Sequence, residues 1–253
     1  MARRNRYYRR RQRGRFAFLY QVLCLVVILT AVLAALTIFF KADHIKIAGA
    51  EHYTEAEVIE ASGVKMGSNL YLINKHEVAE SINQGLSYVE SVRIHRELPD
   101  TLCIDIVECR DKVAIEQNGK AWKICTKGKI VDCVDPKKLD KDTIMVTGLQ
   151  MRKPQVGRSI VVPEKEALAK AQLLVILEQL REDKMLTDVQ EIHLEDPNII
   201  TIRYLDRFNV EFLWEADFEY KLKYLRAVVD KLEDYEKGTL KLTGEGEARF
   251  IME

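Results

Sequence analysis

The chain has 253 residues, with 39 Lys and Arg against 39 Asp and Glu, so its formal net charge is zero. The charges are unevenly distributed, because the first fifteen residues hold eight arginines and no acid, and residues 16–40 hold no charge at all. The remaining 213 residues hold 31 basic and 39 acidic residues, a net charge of −8. This sorting excludes a uniform soluble globule, and an apolar content of 47% excludes a largely disordered chain.

Residues 16–40 are an apolar run in which only Gln21, Thr30 and Thr37 are polar. As a helix, 25 residues rising about 1.5 Å each can cross a hydrocarbon core of about 30 Å, so the run predicts one transmembrane helix. A cleaved signal peptide is one alternative, although its apolar region is usually about 7–15 residues long. A buried core helix is the other, although a core helix of this length would normally carry a charged face.

Residues 1–15 are predicted to be a cytoplasmic, Arg-rich tail, because basic residues beside a spanning helix stay on the cytoplasmic side of the membrane. Contact with nucleic acid or with anionic lipid is the alternative role for these arginines. We expect no specific nucleic-acid partner. The 213 residues that follow the helix are then expected outside the cytoplasm, anchored in the cell membrane by a single pass.

Residues 42–110 are predicted to form a small α+β domain that begins with a strand and two helices. Thr54 and Glu57 form a capping box at the start of the first helix. Asn74 can cap the second helix, whose apolar residues recur at helical spacing. Each helix is short and has one apolar face, which requires a sheet to cover it.

Two further strands complete this domain and supply that sheet. Alternating apolar and polar residues predict strands over 88–96 and 101–108, with Pro99 in the turn between them. The order is therefore strand, helix, helix, strand, strand (βααββ). Two helices can cover one face of a three-stranded sheet.

Residues 111–253 are predicted to form a second domain, mixed and β-rich, with flanking helices. Lys127-Gly128 predicts a hairpin turn between strands over 121–126 and 129–134. Three later strands are predicted over 189–194, 199–205 and 207–214. The last strand runs through Leu240 and Leu242, with a second short piece over 248–252.

Two helices belong to this second domain. One is predicted from Pro163 or Glu164 to about Glu182, with buried candidates that include Leu168, Ala171, Val175 and Leu180. The other is marked by the helical spacing of Phe218, Leu222, Leu225, Val229 and Leu232.

The sequence offers little chemistry. Its five histidines are scattered and none has the spacing of a metal-ligand motif, and no nucleophile elbow or phosphate-binding loop is present. Trp122 and Trp214 lie on predicted strands, where they are more typical of a core or an interface than of a ligand platform. We therefore expect no enzymatic activity, metal, cofactor or small-molecule substrate.

Four cysteines are predicted outside the membrane. Cys103 and Cys109 lie on one strand about 20 Å apart, at about 3.3 Å per residue, which is too far for a bond between them. A disulfide would have to join one of these two to Cys125 or Cys133. Four buried thiols are the equal alternative.

The order of these parts resembles the FtsQ/DivIB family of bacterial cell-division proteins. The local match runs from Val89 to Leu102 and has the family's pattern of a hydrophobic strand, a basic residue, a Pro turn and a second strand. Residues 42–110 look like the family's POTRA domain. Ile130-Val131-Asp132 after Lys127-Gly128 resembles its hairpin.

The resemblance implies a non-enzymatic protein of the division septum. Such a protein would scaffold FtsL and FtsB/DivIC-type single-span partners and help to control septal peptidoglycan synthesis. The alternatives are a membrane-anchored, POTRA-bearing transport or secretion component and a cell-wall enzyme.

Partner binding near the C-terminal end of the β-rich domain is a feature of that family. In this sequence the last strand is a candidate sheet edge, with unpaired N–H and C=O groups that an extended partner segment could pair with. A frayed tail without a partner is the alternative. The predicted partner-binding residues are Thr239, Leu240, Lys241, Leu242 and Thr243, with Arg249 and Phe250 as a charged and an aromatic contact.

Overall fold

The computed structural model describes residues 13–244 and 247–252, so most of the predicted tail, residues 1–12, lies outside the described residues. Its helices are α1 (Arg13–Phe39), α2 (Glu55–Ser62), α3 (Lys75–Gly85), α4 (Ala167–Glu182) and α5 (Phe218–Val229). Its first six strands are β1 (His44–Ala48), β2 (Val89–Glu97), β3 (Thr101–Glu108), β4 (Val113–Gln117), β5 (Lys120–Ile124) and β6 (Ile130–Val134). The other six are β7 (Ile144–Thr147), β8 (Val189–His193), β9 (Ile199–Tyr204), β10 (Phe208–Leu213), β11 (Gly238–Lys241) and β12 (Arg249–Met252).

The apolar run near the N-terminus forms the long helix α1, as predicted. The part from Phe18 to Thr37 is long and apolar enough to cross a membrane, and the protein covers none of it. Its Leu, Val and Ile side chains are largely exposed, Leu25 and Ile28 by about two thirds. Exposed leucine and valine on every side of a helix is unfavourable in water and favourable in lipid.

A three-stranded sheet follows α1, in the order β1-β3-β2. β1 runs parallel to β3, and β2 runs antiparallel to it. The predicted capping box is confirmed, because Thr54 Oγ1 accepts from Glu57 N while Thr54 N donates to the Glu57 carboxylate. Asn74 likewise caps α3. The helices bury Val58 and Ile82 against Leu102 of the sheet, which confirms the predicted α+β arrangement.

A nine-stranded sheet makes up most of the rest of the chain, in the order β12-β11-β10-β9-β8-β7-β4-β5-β6. The helices α4 and α5 contact each other and share one buried core with the sheet. The predicted face of α5 is confirmed for Phe218, Leu222, Leu225 and Val229, which are all buried. The prediction is wrong for Leu232, because α5 ends at Val229, and Leu232 packs half-buried against the same core from the segment that follows.

The predicted buried face of α4 is largely wrong. Of the four candidates only Leu180 is buried, while Leu168 and Val175 are exposed by 59% and 46%. A 3₁₀ turn over Glu164–Glu166 precedes the helix and shifts its start to Ala167. The residues that face the core have the i, i+3, i+4, i+7 spacing of one helical stripe. They are Leu173, Ile176, Leu177 and Leu180.

A buried ammonium group joins the three-stranded sheet with its helices to the nine-stranded sheet. Lys129, just before β6, is 8% exposed. Its Nζ lies 2.6 Å from Asn83 O, 3.0 Å from Leu86 O and 2.8 Å from Val89 O, and 2.7 Å from Asn83 Oδ1. The carbonyls at the end of α3 lack helical partners and carry the negative end of the helix dipole, so a cation is well placed there. Burial lowers the pKa of Lys129.

A second ionic contact lies beside this ammonium group. The side chain of Glu90 in β2 is 4% exposed, and its Oε1 lies 2.9 Å from Arg181 Nη1 of α4 and 3.1 Å from Lys127 Nζ. Burial alone would raise the pKa of Glu90, but the hydrogen bonds from Arg181 and Lys127 outweigh it and hold the pKa below its usual value. Glu90 is therefore charged at neutral pH and links the two sheets electrostatically.

The cysteines also contribute to this junction. All five are free thiols, and Cys109, Cys125 and Val131 form a small buried cluster with Tyr88 packed against it. The Cys109 thiol hydrogen-bonds to Cys125, and this bond together with burial raises the pKa of Cys109. Tyr88 donates from its hydroxyl to Asp132 at 3.1 Å.

We predict that Lys129→Ala destabilises the protein by about 2–4 kcal/mol, because it leaves several buried oxygens without a donor. Thermal unfolding of the full chain in detergent, followed by circular dichroism, measures the change. Lys120→Ala, at an exposed position of the same β5–β6 hairpin, is the control and should change the free energy of unfolding by less than about 0.5 kcal/mol. Equal stability of the two variants would contradict the role assigned to Lys129.

Candidate partner-binding site

The C-terminal strands form one end of the nine-stranded sheet. β11 pairs in parallel with β10 on one side and antiparallel with β12 on the other. No other strand among the described residues pairs with the outer side of β12. The expectation that the strand through Leu240 and Leu242 is the free edge is therefore wrong. The short strand Arg249–Met252 covers it and is itself the edge.

A close approach between β11 and β12 depends on a glycine. A Cβ atom at Gly238, where φ is +152°, would lie 2.1 Å from Ile251 O. Only glycine allows the two backbones to meet at this distance. The carbonyl of Ile251 therefore points toward β11. Because successive residues of a strand direct their backbone groups to opposite sides, Phe250 and Met252 direct theirs outward.

The predicted residues over 239–243 lie inside the sheet and are not on its edge. Leu240 and Leu242 are fully buried in the core. The Lys241 ammonium lies 2.9 Å from Glu211 Oε2 on the neighbouring strand β10. Thr239 and Thr243 are half-buried. This segment supports the edge strand by burial and pairing.

The edge strand β12 presents an apolar surface. Arg249 is exposed, and the half-buried Phe250 ring packs edge-on against Phe208 at 6.1 Å. Ile251 and Met252 are exposed by 42% and 60%. These last two residues are not among the predicted partner-binding residues, although a short strand is predicted over 248–252.

Two hydrogen bonds from basic side chains hold the segments that flank β11. Lys221 of α5, which is buried, donates to the backbone carbonyl of Gly244. Arg207 Nη1 donates to Glu233 O at 2.8 Å. The strand pair is thus fixed to α5 and to the start of β10, so the edge is presented on a rigid support.

An open groove of about 990 Å³ lies where the strands β4, β7, β8 and β10 of the nine-stranded sheet end. Trp214 lies in its wall and donates from its indole N–H to Asp196 O at 3.0 Å. The other tryptophan, Trp122, is half-buried on β5, where it pairs with Cys133 of β6. The residues lining the groove include neither His, Cys nor Ser. Several carboxylates line it, namely Glu116, Glu166, Glu195, Asp196 and Glu215. Such a groove offers an acidic surface for binding.

Potential metal ligands come together at one place among the described residues. His95, Glu97 and Cys103 bring their ligand atoms within 4.8 Å of one another on the outer face of β2 and β3. Lys46 Nζ lies 2.6 Å from Glu97 Oε2, and this hydrogen bond lowers the pKa of Glu97. An ammonium group bonded to the carboxylate competes with a cation, so we do not interpret the cluster as a metal centre.

The segment that contains the three-stranded sheet matches a known family. Residues 40–108, from the end of α1 to the end of β3, match the family described as "POTRA domain, FtsQ-type". The resemblance to the FtsQ/DivIB family is confirmed. The match covers the β1-α2-α3-β2-β3 order that the residues predict.

Curated relatives carry FtsQ or DivIB names. The cell division protein DivIB of Staphylococcus aureus is 26% identical over 131 residues, which are 47% of this chain and 30% of that protein. The cell division protein FtsQ of Corynebacterium glutamicum is 31% identical over 111 residues, 43% of this chain and 50% of that protein. The cell division protein DivIB of Clostridium botulinum is 22% identical over 241 residues, 92% of this chain and 91% of that protein. The chain thus spans half or less of the first two FtsQ/DivIB relatives.

A solved structure was also found, that of the major extracytoplasmic domain of the trans isomer of DivIB from Geobacillus stearothermophilus. It is 15% identical, covers 50% of this chain and 98% of that chain, and has a TM-score of 0.31.

We predict that Gly238→Ala displaces β12, because the added methyl group cannot share space with Ile251 O. The loss of stability should be about 2–3 kcal/mol from the clash and the strained φ together. Gly119→Ala is the matched control, since Gly119 also has a positive φ of +71° but open space around its Cβ position. Thermal unfolding and limited proteolysis after residue 243 measure both variants. A Gly238→Ala protein that resembles the control would contradict the close approach.

Proposed function

We propose that this chain is a membrane-anchored assembly protein of the bacterial division machinery. The observation that carries the proposal is the match of residues 40–108 to the FtsQ-type POTRA domain, directly after a helix that can span a membrane. The names of the relatives agree with this role. The protein would act by binding other proteins and not by catalysis, and its place of action would be the septum.

We propose the following organisation along the chain. Residues 1–15 are the cytoplasmic tail, and residues 16–40 are the single span. Residues 42–110 are the POTRA-like domain and residues 111–253 the β-rich domain, both outside the cytoplasm. The eight arginines at the N-terminus support this orientation, because basic residues are retained on the cytoplasmic side. The separate sheets and cores on either side of residue 110 support the division.

The partners we propose are FtsL-like and FtsB/DivIC-like single-span division proteins. An extended segment of one partner would pair with the outer side of β12, with backbone hydrogen bonds giving affinity and the exposed Ile251 and Met252 giving apolar contact. Arg249 and Phe250 lie on the same strand as charged and aromatic contacts. Thr239, Leu240, Lys241, Leu242 and Thr243 contribute by supporting that strand. Through these partners the protein would help to control septal peptidoglycan synthesis.

Complementation of a depletion strain tests this proposal. We expect depletion of the chain in its host bacterium to give long cells without septa, and re-expression of the unchanged protein to restore normal length. Met252→Pro removes an outward-facing N–H of β12 and should fail to complement, because proline cannot donate to a strand ladder. Met252→Leu keeps both that N–H and an apolar side chain and should complement.

Membrane fractions from the same strains supply the second readout. The two partner-type proteins should co-purify with the Met252→Leu chain and be reduced roughly tenfold or more with the Met252→Pro chain, which corresponds to about 1.4 kcal/mol of binding. Normal cell length throughout depletion would contradict the division role. Equal co-purification by both variants would contradict the edge strand as the binding site.

A further inference from the structure

The exposed apolar side chains of residues 42–110 are gathered at one end of that unit. Among its described residues, five large apolar side chains are exposed, and four of them lie near the point where α1 ends. We name these four the exit surface: Met66, Tyr71, Leu72 and Leu98, exposed by 60%, 55%, 81% and 56%. The fifth, Val107, lies near the far end of β3 and is exposed by 50%.

The loop that carries three of these side chains is bonded directly to the end of α1. Leu70 N donates to Phe40 O at 2.9 Å, and Gly67 N donates to Ala42 O at 2.9 Å. Asn69 Nδ2 donates to the carbonyl of Thr37, the last residue of the apolar segment of α1, at 3.4 Å. The loop is therefore held at the depth where the helix would leave the hydrocarbon core.

Aromatic contacts strengthen this connection. The rings of Phe40 and Tyr71 meet edge to face with centroids 5.1 Å apart. Arg96 lies over the Tyr71 ring at 5.8 Å and donates to Ile73 O at 2.9 Å. Tyrosine and phenylalanine favour the membrane interface, where one end of the ring is apolar and the other is wet.

Leu98 reaches the same level from a different part of the chain. It lies in the turn between β2 and β3, and Asp100 in this turn accepts hydrogen bonds from Asp43 N at 3.0 Å and His44 N at 3.2 Å. The turn is thus adjacent to the residues that follow α1. Val107 is six residues along β3 from Thr101, or about 20 Å at about 3.3 Å per residue, so it lies well away from the exit surface.

We propose that the exit surface inserts into the interfacial layer of the phospholipid bilayer on the side where α1 emerges. This inference rests on the proposed membrane span of α1. Leu72 and Met66 would be withdrawn from water among the upper acyl chains, and the exposed Lys41 and Lys65 would lie among the headgroup phosphates. Lipid is the occupant because the side chains are fixed, by backbone bonds to Phe40 and Ala42, at the level of the membrane surface.

The consequence is a fixed orientation of the extracytoplasmic part. Two exposed or half-buried residues, Phe40 and Lys41, separate α1 from Ala42, which is fully buried in the core of the next unit. Because the connection is short and both α1 and the exit surface would contact the bilayer, the POTRA-like unit would stand at one angle to the membrane. Because Lys129 joins the nine-stranded sheet to that unit, the height of the edge strand β12 above the membrane would be fixed as well.

Tryptophan quenching by brominated lipid tests the proposal on the full chain. The native tryptophans are replaced by Phe (Trp122→Phe and Trp214→Phe), and Leu72→Trp, Leu98→Trp, Val107→Trp or Leu29→Trp is added singly. Each protein is reconstituted in phosphatidylcholine vesicles whose acyl chains are brominated either near the headgroup or near the chain middle. Thermal unfolding by circular dichroism establishes that each protein is folded.

We expect roughly twofold or stronger quenching of Leu72→Trp and Leu98→Trp relative to Val107→Trp, and more by bromine near the headgroup than near the chain middle. Leu29→Trp, in the centre of α1, should be quenched most by bromine near the chain middle. If Leu29→Trp is quenched in this way but Leu72→Trp and Leu98→Trp resemble Val107→Trp, the docking is refuted and the span stands. If Leu29→Trp is not quenched, the span is refuted and the docking with it.

Discussion

A single buried ammonium group holds the two sheets of this protein in one arrangement. Lys129 enters the structure from the nine-stranded sheet and donates to carbonyl oxygens at the end of α3 and the start of β2. A charge that is buried this deeply must be satisfied by several acceptors, and those acceptors exist in one relative position of the two parts. The ion pair of Glu90 and Arg181 lies beside it. The Glu90 carboxylate is almost completely buried, so it too must be satisfied by nearby partners.

With this constraint, an unbroken series of fixed contacts connects α1 to the edge strand. The backbone bonds from Phe40 and Ala42 fix the POTRA-like unit to the end of α1, and Lys129 fixes the nine-stranded sheet to that unit. Within the sheet, burial of Leu240 and the close approach at Gly238 hold β12 in place. Such contacts would raise the affinity of an assembly protein that binds through a strand edge, because a preoriented edge loses less entropy when a partner pairs with it.

Sequence patterns predicted the elements that depend on near neighbours. Thr54 and Glu57 form a capping box three residues apart, and the stripe of α5 repeats every three to four residues, so both could be read directly. The face of α4 was misjudged, because Leu168 and Val175 are as apolar as Leu173 and Ile176 and only the sheet decides which stripe is covered. Local spacing contains no information about that sheet.

The candidate site was predicted only in part, again because local spacing does not show how the strands of the sheet pair. The C-terminal strands were predicted, but the pairing of β12 with β11 places the edge at Arg249–Met252 and not at residues 239–243. The role of Lys129 has no local signal either, since its acceptors are 40–46 residues away. Contacts of this kind arise from the assembled fold, and a lysine in a hairpin looks the same in sequence whether it is buried or exposed.

The distance between the two sheets tests the fixed junction most directly. Spin labels on ketone-bearing residues at the exposed positions Glu60 of α2 and Ala227 of α5 would spare the native cysteines, and double electron–electron resonance on the full chain in vesicles would give the distance distribution. A junction locked by Lys129 predicts one narrow peak, which broadens when Lys129 is replaced by Ala. A broad or two-peaked distribution in the unchanged protein, or the same narrow peak without Lys129, would contradict it.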